Sequence, residues 1–212
     1  MLWMCYPLCL WTDAAYGRNL QQRKEANQNV ATIIFPWFSS FSNCNLTANF
    51  LVNQILKKNL ENWLSNARKV VVAGIGNPIR MDDFVGVKIV QDLRGKVSER
   101  VYLIECETVP ESFMQQITDF NPTHILLIDA AVLGLEPGEA KLVYPEDLTM
   151  SPAFSTHMLP LRLFCEYLSK TLEAKIALLL VQPKSAEFGE GLTKEVEKSA
   201  AKIVDLLLEV LP

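Results

Sequence analysis

From residue 69 onward the chain alternates short apolar runs with stretches of helical period, and that alternation leaves few folds open. "KVVVAG" (69–74), "VYLIE" (101–105), "HILLIDA" (124–130) and "KIALLLVQP" (175–183) read as buried strands. Helical patterns separate or follow them: Asp83 to about Leu93, "PESFMQQITDF", a helix starting near His157, and a last one from about Thr193 to Val210. Strands without polar alternation, joined through helices, belong in a mostly parallel sheet covered on both faces. After "HILLIDA", Gly134, Pro137 and Gly138 turn the chain into "AKLVYP" too soon for a helical crossover. That strand is therefore expected to be an antiparallel edge. The predicted architecture is an α/β three-layer sandwich with about five strands.

Upstream the pattern differs. Leu51, Ile55, Leu56, Leu60, Trp63, Leu64 and Ala67 recur at helical spacing and predict an amphipathic helix leading into the domain. Residues 1–48 hold neither period, so we expect a poorly patterned extension there, disordered or added by an upstream start, and a domain over 49–212. The opening "MLWMCYPLCLWTDAAYG" is apolar, yet it has no basic leading segment, contains Pro7 and shows no small-residue cleavage site, which argues against a signal peptide. Cys5, Cys9, Cys44, Cys106 and Cys165 are odd in number and lack metal-knuckle spacing, as expected of a reduced, cytoplasmic protein. A net charge of −4 gives no general attraction to nucleic acid, and no uninterrupted apolar run is long enough to span a membrane.

"VVVAGIGNPIRMDDFVGVKIV" (70–90) is the stretch that could carry chemistry. Gly74 and Gly76 sit where a strand turns toward a helix, and with Glu105 ending the next strand they permit a nucleotide-binding reading. The third glycine of that fingerprint is missing, since position 79 is Ile79. Asp82 and Asp83 also occupy the helix start where a phosphate would sit, and they would repel it. A plainer alternative has Asp82 capping the helix and Asp83 complementing its dipole, in which case Asp82→Asn would cost about 1 kcal/mol or less.

Asp129 ends "HILLIDA", and the carboxyl ends of parallel strands line the ligand crevice of such sheets. Capping of the following loop is its bland alternative. Of the two histidines, His124 opens a strand and is expected to bond backbone at the sheet edge. His157 follows Ser155-Thr156 at a helix start, where the dipole favours the neutral ring that binds metals; a water-facing side chain is the other option. Asp83, Asp129 and His157 together make a three-ligand set open to zinc, nickel or cobalt. Serine-elbow, HExxH and Walker motifs are absent, and Cys106 and Cys165 read as packing residues.

"GIGNPIRMDDFVGVKIV", "HILLIDAA", "SPAFSTHMLPL" and "VQPKSAEFGEGLTKEV", in this order, resemble the hydrogenase maturation proteases over residues 69 to about 210. The resemblance implies an endopeptidase, classed with the aspartic peptidases, that trims the C-terminal extension of a nickel-iron hydrogenase large-subunit precursor after nickel insertion. By the resemblance the metal-binding acids fall on Asp83 and Asp129 and the histidine on His157; we expect a monomer. These would meet nickel carried by the substrate, and zinc or cadmium could take its place. "ECET" at 105–108 departs from the aspartate-glycine-glycine-threonine more usual there, and Phe84 and Val85 replace smaller residues. The "ECET" departure bears on the shape of the neighbouring loop and on substrate preference.

Overall fold

The computed structural model describes residues 44–149 and 158–212, with side chains from 54 to 147 and from 161 onward. Contacts divide the chain into units Met1–Asn49 and Phe50–Pro212. Of the first, only the opening of helix α1 (Cys44–Leu64) is described, so the expected extension over 1–48 lies almost wholly outside the described residues. The helix starts before the apolar repeat that predicted it, because "CNLTANF" carries no periodic apolar face to announce it.

The strands are β1 (Val70–Ile75), β2 (Val101–Glu107), β3 (His124–Ala130), β4 (Ala140–Val143) and β5 (Lys175–Val181), in the order β2-β1-β3-β5-β4. β1 runs parallel to β2 and β3, β3 parallel to β5, and β4 antiparallel to β5 at the edge. The predicted antiparallel edge strand is therefore present, and the sheet has the expected five strands. Every residue of β1 is buried, which is why it reads as a continuous apolar run.

The pleat sends alternate residues to opposite layers. Val70, Val72, Leu126, Ile128 and Leu179 pack with α1, α2 (Val85–Leu93) and α5 (Lys194–Val210) through Leu60, Ile89, Leu93, Ile203 and Leu207. Val71, Ala73, Ile125, Leu127 and Leu178 pack with α3 (Met114–Phe120) and α4 (Met158–Thr171) through Ile117, Phe164, Cys165 and Leu168. Helices thus cover both faces. Among the described residues, no helix is long and apolar enough to cross a membrane.

Strand order fixes where a ligand can enter. From β1 the chain goes outward to β2, then crosses back to place β3 on the other side of β1. The connections leaving β1 and β3 consequently part at their carboxyl ends, opening a crevice between them. One local expectation changes there: the helix read from Asp83 begins at Val85, and Met81–Phe84 form a separate 3-10 turn.

Candidate active site at the switch point

The turn bearing Asp83 is seated by close backbone approaches that only glycine allows. A Cβ on Gly86 would lie 2.1 Å from the Ile128 carbonyl oxygen and 2.4 Å from that of Ile75, and one on Gly74 would lie 2.2 Å from the Gly86 oxygen. The first turn of α2 therefore rests directly on the ends of β1 and β3. Gly76, at φ +149°, leaves no room for a Cβ beside the Asp83 carbonyl. Asp83 is half-buried, and its Oδ2 accepts the Asn77 N–H at 3.0 Å. These glycines serve packing, while Glu105 is paired with Arg94 and accepts a 2.9 Å hydrogen bond from Gln91 Nε2. Nothing in that arrangement favours the nucleotide-binding alternative.

Asp129 stands one residue past Ile128, the β3 partner of Gly74, so the register brings it to the edge from which Asp83 projects. Its Oδ1 accepts the N–H of Ala130 at 2.8 Å. Burial pushes its carboxyl up to about 7, the Ala130 hydrogen bond opposes that, and the nearby charge of Asp83 adds to it. The residue keeps some accessible surface, but its carboxyl group is withdrawn from water. A buried carboxyl whose ionisation is opposed by a neighbouring carboxylate suits holding a proton or meeting a cation.

Asp82 does not cap its own helix. It is fully buried, and its Oδ2 accepts the N–H groups of Lys184 (2.9 Å) and Ser185 (3.0 Å) and the Thr193 hydroxyl (2.9 Å). Its Oδ1 accepts the Thr193 N–H at 2.7 Å. Asp82 therefore ties the Asp83 turn to the loop after β5 and to the start of α5. The capping alternative is replaced by a tertiary clamp, because the 3-10 turn aims this side chain across the molecule instead of along its own axis.

His124, buried at the start of β3, lies about 16 Å from Asp129 at about 3.3 Å per strand residue. The Thr123 hydroxyl is 3.0 Å from its Nδ1, and Trp63 meets its ring edge-on with centroids 5.0 Å apart. Burial, assisted by Lys175, lowers its proton affinity against an opposing Trp63 backbone contact. It is a structural group remote from the acids. His157 lies outside the described residues, the last position before α4 begins at Met158. Among the described residues no cluster of three or more His, Cys, Asp or Glu could hold a metal, so the acids alone are seen together. Cys106 and Cys165 are buried, and burial pushes both thiols up to about 12, leaving them protonated and unreactive.

Two supporting groups escaped the sequence reading. Gln182 is buried, and its Oε1 accepts the N–H groups of Leu133 (2.7 Å) and Leu135 (3.3 Å), bracing the loop that follows Asp129. The segment 184–193 supplies the donors to Asp82. A polar residue closing the apolar run of β5 was the one available signal for Gln182.

A doubly wound sheet with neighbouring aspartates at its switch point defines an α/β protein whose crevice suits acid–base or cation chemistry. Comparison with known proteins narrows that class. The family model described as hydrogenase maturation protease matches residues 87–210. A Methanocaldococcus jannaschii protein bearing the name of a candidate hydrogenase maturation protease is 37% identical over 164 residues, covering 74% of this chain and 96% of its own. The Hydrogenase 3 maturation protease of Escherichia coli K12 is 24% identical over 65% of this chain and 87% of its own. The crystal structure of a [NiFe] hydrogenase maturation protease from Thermococcus kodakarensis superposes with a TM-score of 0.68 at 33% identity, covering 72% of this chain and 98% of that one. The chain belongs to the hydrogenase maturation protease family, a family of proteases.

Proposed function

We propose that this protein is an endopeptidase that removes the C-terminal extension of a nickel-iron hydrogenase large-subunit precursor once nickel is in place. The observation that carries this reading is the meeting of Asp83 and Asp129 at the switch point, where burial and the charge of Asp83 raise Asp129 to about 7. The names of the Escherichia coli and Thermococcus relatives support the substrate class.

In this reading Asp83 and Asp129 offer oxygen donors to the metal that the substrate carries, and His157 offers a nitrogen. Two features support the histidine. His124 is committed at the far end of β3, leaving His157 as the one remaining imidazole in the chain. Helix α4 runs about 21 Å, at 1.5 Å per residue, toward the start of β5, and it also packs against the 3-10 turn Pro110–Phe113 that follows β2. Its first residue, next to His157, is thereby directed toward the carboxyl edge of the sheet.

Without a cation, a buried Asp129 beside Asp83 keeps its proton up to near neutrality. Docking of a divalent metal would favour the anion and release that proton, so the pair distinguishes a loaded precursor from an empty one by charge. The same donors would accept zinc or cadmium. Incubating the protein with precursor matured with and without nickel tests the reading. Cleavage of the loaded form alone is expected, and equal cleavage of both forms would refute the metal checkpoint.

A further inference from the structure

Among the described residues, two exposed apolar side chains flank the Asp83 turn: Ile79 is 53% exposed and Phe188 is 81% exposed. Isolated exposed hydrophobes are ordinary, but these are mounted on a braced framework. The Met81 N–H donates to the Gly189 oxygen at 3.0 Å, the Gly189 N–H donates back to the Ile79 oxygen at 3.0 Å, and Arg80 and Gly189 form a parallel bridge. Arg80 donates through Nε and Nη2 to the Ala186 oxygen at 3.2 and 2.9 Å. Its guanidinium lies over the Phe188 ring, 5.5 Å from the centroid. Below them, the buried Asp82 carboxylate holds the Ser185 N–H. The aromatic ring thus projects from a segment locked on one side to the turn that carries Asp83.

We infer that Ile79, Arg80 and Phe188 form a docking shelf that grips an apolar segment of the precursor polypeptide and lays its scissile bond over Asp83. The inference rests on the protease reading above. The precursor is the occupant because the shelf is continuous with the turn that carries Asp83: Arg80 belongs to that turn, its carbonyl oxygen accepting the Asp83 N–H at 3.0 Å. A rigid aromatic backed by arginine is the kind of group that concentrates binding energy in protein recognition. The framework bonds fix the shelf before binding, so little ordering cost is left for the encounter.

Steady-state cleavage of nickel-loaded precursor by the full chain tests the shelf. Phe188→Ala should raise KM about tenfold with kcat retained, Ile79→Ala should act in the same direction, and Phe188→Trp should restore KM. Leu163→Ala, which removes a side chain 55% exposed on α4, is the control and should leave KM unchanged. A wild-type KM in both Phe188→Ala and Ile79→Ala would overturn the shelf alone. So would an equal rise in Leu163→Ala, or a Phe188→Ala variant that shifts oligomeric state on a sizing column without changing KM. A wild-type chain that neither cuts nor binds the precursor would overturn the protease reading and the shelf together.

Discussion

Asp129 is held in a setting that opposes its ionisation. The folded protein binds its proton up to about pH 7, whereas the ordinary value is 3.8. Between those values the folded state carries more protons than the unfolded one, so this residue makes stability fall as pH rises from about 4 to about 7 and stay lower above. Metal-free Asp129→Asn should therefore melt higher than wild type at pH 8, with the gain vanishing near pH 4. Thermal unfolding in chelator at both pH values checks this, and a difference independent of pH would count against a buried, proton-holding Asp129. The sequence made this residue legible as a strand-end acid. Its perturbation was not legible, because that depends on how deeply the carboxyl sinks and on Asp83 approaching it from a segment 46 residues earlier (129 − 83).

At the scale of elements, the contact that matters is α2 on the ends of β1 and β3. Apolar period announced the helix and the apolar runs announced the strands, since both patterns follow from which faces are covered. The closeness of their approach was visible only in Gly74 and Gly76, which suit a phosphate loop as well as a packing contact, and Gly86 drew no notice. The structure decides for packing through the position a Cβ would occupy. Gly86→Ala would drive a methyl group to within 2.1 Å of the Ile128 oxygen, and backbone cannot yield as a flexible side chain does. We expect a loss of about 3 kcal/mol together with an outward shift of the Asp83 turn. Denaturant unfolding and divalent-metal titration should both register it. An alanine variant of native stability and affinity would show that the helix can slide.

For the molecule as a whole, the strand order and layering follow from the alternation of apolar runs and helical stretches, so the sandwich could be read in advance. What could not be read was the linkage between sequence-distant parts of the site. Asp82 looked like a local cap because its neighbours are a helix, yet its partners are Lys184, Ser185 and Thr193. Asp82→Asn would replace an acceptor of four hydrogen bonds with a half-donating amide in a fully buried place. It should cost about 2–3 kcal/mol, well above the amount expected for a helix start. Chemical denaturation gives the figure, and a cost below about 1 kcal/mol would return Asp82 to the capping role.

That same clamp orders events while the chain is being made. Asp82 leaves the ribosome more than a hundred residues before Thr193, the partner that holds both of its oxygens (separation 111). Strands β1 to β3 can pair earlier and seat the turn presenting Asp83, but its Asp82 clamp cannot close until the segment leading into the last helix has been synthesised. An unfinished chain thus carries the Asp83 turn without its Asp82 clamp, which closes only after Thr193 has emerged.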